Sequence, residues 1–106
     1  MRTEIRCEVG EWVTVGVELI DPVTRQKVDL SGVTVGAAGK RRFSDAAPVF
    51  TATGTLDSPS DGKVYGASVG FVAPAAGVYQ VSVPLSKPGN GWPQIETFAL
   101  EVKDHA

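Results

Sequence analysis

A chain of 106 residues with ten basic and twelve acidic side chains carries a formal charge of −2, too balanced for the broad basic face that tracks a nucleic-acid backbone. That length makes one domain, residues 1–106, which buries roughly two-thirds of the surface its unfolded form exposes. The hydrophobic fraction of 42% is that of a globular chain, and no apolar run approaches the ~20 residues of a membrane-crossing helix.

Cys7 is the only cysteine, so the chain closes no disulfide within itself, which fits folding in a reducing cytoplasm. The start, Met1-Arg2-Thr3-Glu4, is polar and lacks the apolar segment of a secretory signal. We therefore expect a complete small product made in the cytoplasm. Valine, threonine and glycine dominate, helical spacing is missing, and turn signals recur about every dozen residues, the rhythm of a β-sandwich or barrel.

Seven strands are expected. The first runs Thr3 to Val9, with Ile5, Cys7 and Val9 on one face. Gly10-Glu11 turns the chain into Trp12 to Ile20, where Val13, Val15, Val17 and Leu19 alternate with Trp12, Thr14, Gly16 and Glu18. A period of two is what a half-buried strand requires. Asp21-Pro22-Val23-Thr24-Arg25 is a turn, and Val28 to Gly32 leads into a third strand, Val33 to Ala38, with Gly39-Lys40-Arg41-Arg42 at its end. A fourth strand, Val49 to Leu56, sets Thr51, Thr53 and Thr55 against Phe50, Ala52 and Leu56. The turn cluster Asp57 to Gly62 precedes a fifth, Val64 to Val72, with Tyr65, Ala67, Val69 and Phe71 on one side. The sixth lies in PAAGVYQVSVPL, residues 74–85. After the loop SKPGNGWP, the seventh runs Ile95 to Lys103 and buries Phe98, Leu100 and Val102. Consecutive antiparallel strands of this kind build two packed sheets through hairpins and Greek-key crossings. Pro84 donates no ladder bond, so it belongs at an edge or a bulge.

Gly77-Val78-Tyr79-Gln80-Val81 has the spacing of the tyrosine corner of immunoglobulin-like sandwiches, in which a tyrosine near the start of one strand bonds back to the backbone just upstream. Val81 stands where antibody domains carry a cysteine, Ala75 replaces a frequent acidic residue, and the buried tryptophan of the antibody branch is missing. The run VTVGVELIDPVTRQKVDLSGVTVGAAGKRR resembles the opening of Ig-like domains in phage baseplate upper proteins and related virion components. Val28-Asp29-Leu30-Ser31-Gly32, Asp61-Gly62-Lys63-Val64 and Gly77-Val78-Tyr79 match in order and span most of the chain. The resemblance implies an all-β, immunoglobulin-like antiparallel β-sandwich of about seven strands. It also implies a non-catalytic phage or prophage virion structural or accessory protein: a component of the head, connector, tail or baseplate, residing in the virion. Its partners would be other virion proteins, as a homo-oligomer or in many copies on a lattice, with neither membrane nor nucleic acid involved.

Catalytic chemistry finds little to work with. His105, the single histidine, is next to the C-terminus, and no triad assembles from it. Cys7, between Ile5 and Val9, reads as a buried small hydrophobe. Asp57 and Asp61 flank a Ser-Pro-Ser turn without the ladder of ligands calcium needs. No cofactor or metal is expected.

Interface chemistry is better supplied. Lys40-Arg41-Arg42 is a solvated strand end, an ionic contact to an acidic neighbouring subunit, or a contact to packaged nucleic acid, the last disfavoured by the net charge. Trp92, in the Gly/Pro-rich loop, either folds back over the open end of the sandwich or anchors a protein contact. Trp12 either covers a neighbouring strand or serves as an anchor. Free sheet edges and polar tails offer further docking points. The alternative from a different class is a carbohydrate-binding or adhesion module, with Trp92 and Tyr65 as a stacking face.

Overall fold

The computed structural model describes residues 4–42 and 47–104; Thr3 and His105 lie outside the described residues. Seven strands follow in order: β1 (Glu4–Glu8), β2 (Trp12–Val17), β3 (Thr34–Arg41), β4 (Phe50–Leu56), β5 (Ala67–Val72), β6 (Gly77–Ser86) and β7 (Gln94–Lys103). Each arises where the sequence alternates. Along β6 the inward positions Tyr79, Val81, Val83 and Leu85 are all 0% exposed, and Val78, Gln80 and Pro84 between them face outward.

The strands form one mixed sheet in the order β1-β7-β6-β3-β4-β5-β2, curled nearly into a barrel. One expectation is corrected. The arrangement is not wholly antiparallel: β1 pairs parallel with β7, from Glu4 beside Ala99 to Glu8 beside Lys103. The reason lies in the turn after β1. Glu11 N–H donates to the Glu8 carbonyl at 3.1 Å, Gly10 N–H to the Ala73 carbonyl at 3.2 Å, and Ala73 N–H to the Glu11 carbonyl at 2.8 Å. Gly10 and Glu11 thus oppose one residue of the β5–β6 connection, and the chain crosses from one edge of the sheet to the other instead of folding back as a hairpin.

The two halves of the expected sandwich share a strand. β4 joins both halves, because Phe50–Thr53 pair with β3 and Gly54–Leu56 pair with β5. Gly54 is the residue at the crossing. A Cβ there would come within 2.5 Å of Val35, 2.8 Å of Val69 and 2.9 Å of the Ser68 carbonyl, so any side chain at the crossing forces its neighbours to shift.

Pro84 also departs from expectation. It lies in β6, between β7 and β3, and not at an edge. β3–β6 pairing runs through Thr34–Ser86 and Val35–Leu85 and resumes at Ala38–Ser82. The lapse at Gly36 and Ala37 accommodates the missing N–H, while Pro84 still aligns with Ile95 of β7.

The strand boundaries shift for local reasons. β2 ends at Val17, and Ile20 instead forms an isolated bridge with Lys27. Val23 and Thr24 N–H groups both donate to Asp21 Oδ1, at 2.8 and 3.1 Å, closing the turn between them. β3 extends to Arg41, so Lys40 and Arg41 stand inside the strand. β5 begins only at Ala67, because Ser60–Lys63 close a two-residue turn in which Asp61 (φ 52) and Gly62 (φ 76) are both left-handed.

Candidate functional site

The strand directions give the molecule two ends. One gathers the β1–β2 turn, the β5–β6 connection and the end of β3, and so holds Lys40, Arg41, Arg42, Gly77 and Tyr79. The other gathers residues 18–33, 57–66 and 87–93, and so holds Trp92, Tyr65, Asp57 and Asp61. Trp12 opens β2 at the first end too, but faces outward on an edge strand, with β4 and β5 between it and β3. The interface candidates therefore divide between the two ends, with Trp12 and the basic run on different strands of the first, and do not converge on one patch.

At the first end Tyr79 is fully buried, and its hydroxyl donates to the Ala75 carbonyl at 2.5 Å. Phe50 meets it edge-on at 6.5 Å and stacks on Phe71 at 4.7 Å. Gly39, beside them, is buried, and a side chain there would strike the Phe50 ring. Arg41, aligned with Tyr79, holds its guanidinium 5.4 Å from the tyrosine ring centroid. A Cβ at Gly77 (φ +152) would lie 2.8 Å from that guanidinium. Arg41 is thus a cationic cover over the corner, whereas Lys40 points to solvent from the opposite face of β3. Arg42 is exposed, and its N–H donates to the Val78 carbonyl at 3.0 Å.

At the opposite end Trp92 is half-buried and packs against the core, with the Lys87 ammonium 5.0 Å from its ring centroid. It lines a groove with Leu19, Ile20, Pro22 and Val28. Tyr65 lines a different hollow, with Asp57, Lys63 and Glu18. The two aromatics do not share a face.

Carboxylates at this end serve the backbone. Asp29 accepts from the Ser31 hydroxyl (2.7 Å), the Ser31 N–H (3.0 Å) and the Val64 N–H (3.0 Å). These bonds, the hydroxyl's foremost, hold its carboxyl down to about 2. Asp21 is lowered likewise by the Thr24 and Val23 amides. Asp57 is pressed against Gly66, and Asp61 sits within its turn. Among the described residues no three of His, Cys, Asp and Glu gather as metal ligands. Cys7 is buried, and burial, followed by the Glu11 charge, pushes its thiol up.

Two contacts were not foreseen. Asp29 belongs to the stretch leading into the third strand, and its reach to Val64 is a tertiary tie. The Trp12 indole lies over Gly70 of β5 while its Nε1–H donates to Thr14 Oγ1 at 3.0 Å; the bare Gly70 between Val69 and Phe71 was the available signal.

No family model matches this sequence, and no curated protein matches it significantly.

Proposed function

We propose that the chain is an immunoglobulin-like β-sandwich that works as a phage or prophage virion component, by contact with other virion proteins and without catalysis. One observation carries the reading. The three sequence motifs of the resemblance become the ties that close the two ends of the fold: Asp29 to Val64 joins the first motif to the second, and Tyr79 to Ala75 pins the third. Motifs of this kind maintain a scaffold, which leaves function to surfaces. The polar groups that catalysis would recruit, Asp21 and Asp29 among them, hold backbone amides instead.

The glycan-binding alternative needs an open indole face. Lys87 stands over that of Trp92, and Tyr65 lines another hollow, so the assembly reading is preferred.

The test is co-sedimentation of the chain with particles produced from the genome that encodes it, alongside glycan-array binding of wild-type and Trp92→Ala protein. Particle association with a blank array supports the proposal. Glycan binding lost in Trp92→Ala, with no particle association, replaces it by the alternative.

A further inference from the structure

We propose that β2 is a docking edge for a second copy of this chain, with the two β2 strands pairing antiparallel about a two-fold axis so that two sheets become one. This deepens the assembly reading by naming one partner, and rests on that reading only for its setting in a particle.

The backbone supplies the first argument. β2 ends the strand order and pairs on one side only, with β5. Ala73 N–H donates to the Glu11 carbonyl at 2.8 Å, and an antiparallel ladder alternates from there. Val13, Val15 and Val17 therefore turn their peptide groups toward β5, and Trp12, Thr14 and Gly16 turn theirs outward. Among the described residues nothing bonds to that outward row. Such a row recognises an extended backbone.

The second argument is the contrast between the two edges. β1 reads EIRCE and carries Glu4, Arg6 and Glu8. β2 reads WVTVGV, with no charge and no proline. Charged side chains, proline and bulges are how sheets keep edges from pairing. One edge of this sheet has that protection within the strand, and the other lacks it.

The third argument identifies the occupant. Set in register on Thr14, two β2 strands place Thr14 opposite Thr14 and Trp12 opposite Gly16. Hydroxyl pairs and an aromatic against a glycine are favourable cross-strand neighbours. Nothing lies within 4 Å of a Cβ built at Gly16, so the surface above it is open. Trp12 is 64% exposed, and in the pair its indole is flanked by glycine on both sides, Gly70 of its own chain and Gly16 of the other. No two acids fall directly opposite one another, because Glu11 falls opposite Val17 and Glu18 opposite Gly10. The edge is complementary to itself in shape.

The experiment is sedimentation velocity on the full chain, with circular dichroism to verify the fold of each variant. Wild type is expected as a dimer. Thr14→Lys, which sets two ammonium groups face to face, is expected to raise the dimer dissociation constant by about tenfold or more, and Thr14→Glu to do the same. Mixing the two variants restores the dimer, since opposite charges then meet at the axis. Glu4→Lys, on the other edge, leaves it intact. A wild-type chain that stays monomeric at its highest soluble concentration overturns the proposal, as does a dimer that survives Thr14→Lys. A monomer that still joins particles sinks β2 pairing and spares the assembly reading; a dimer that joins none does the reverse.

Discussion

The Val64 amide donates to the Asp29 carboxylate at 3.0 Å, joining residues 35 apart in sequence. The contact is reciprocated one position on, where Leu30 N–H donates to the Val64 carbonyl at 2.6 Å. Leu30 and Val64 are both buried, Leu30 completely. A single carboxylate thus holds the loop before β3 against the turn before β5, and the leucine beside it seals the end of the core.

This tie sets a pH dependence. The Asp29 carboxyl sits at about 2, below its ordinary 3.8. A group depressed on folding contributes stability above its unfolded value and loses it as pH falls toward the folded one. Melting temperature should therefore decline between about pH 4 and pH 2. Asp29→Asn, melted in parallel, should start lower at neutral pH and converge on wild type across that window. Parallel curves for the two proteins would remove Asp29 as the cause.

At the other end, Tyr79→Phe keeps the ring and deletes the bond to Ala75. Urea denaturation should show a loss of about 1–2 kcal/mol, the value of a hydrogen bond made by a fully buried tyrosine. No loss would mean that the ring alone holds the corner.

Arg41 and Lys40 are neighbours of the same charge on opposite faces of β3. Arg41→Ala should cost about 0.5–1 kcal/mol through its contact with the Tyr79 ring, and Lys40→Ala should be near neutral. Equal effects would show that Arg41 is only a surface charge.

Gly54→Ala puts a methyl group into space already held by Val35, Val69 and a backbone carbonyl. Overpacking of this kind costs about 1–3 kcal/mol, and chemical denaturation reads it directly. Tolerance of alanine would mean that β4 shifts easily at its crossing.

Much of this fold was legible. Strict alternation in Val13–Leu19 and in Tyr79–Leu85 dictates inward rows, and the Gly77–Tyr79 spacing anticipates the bond to Ala75. What alternation does not encode is a strand's neighbour. EIRCE has the same period whether its partner runs parallel or antiparallel, so the β1–β7 pairing came only from the crossing at Gly10 and Glu11. Pro84 misled for a related reason: a missing donor needs a local lapse in pairing, and a central strand supplied one. Of the candidate interface residues, sequence chemistry drew attention to the conspicuous ones, Trp92 and the basic run. The feature of β2 that matters most to the self-pairing proposal is an absence, six residues without a charge, and it gains meaning only once the strand is known to be an edge.

The most direct measurement of the central claim is a density-gradient separation of particles produced from the encoding genome, with this chain quantified by mass spectrometry in every fraction. The account predicts that the chain migrates with the particles at a fixed ratio to their major protein. A chain that remains wholly in the soluble fractions while intact particles band below would contradict it.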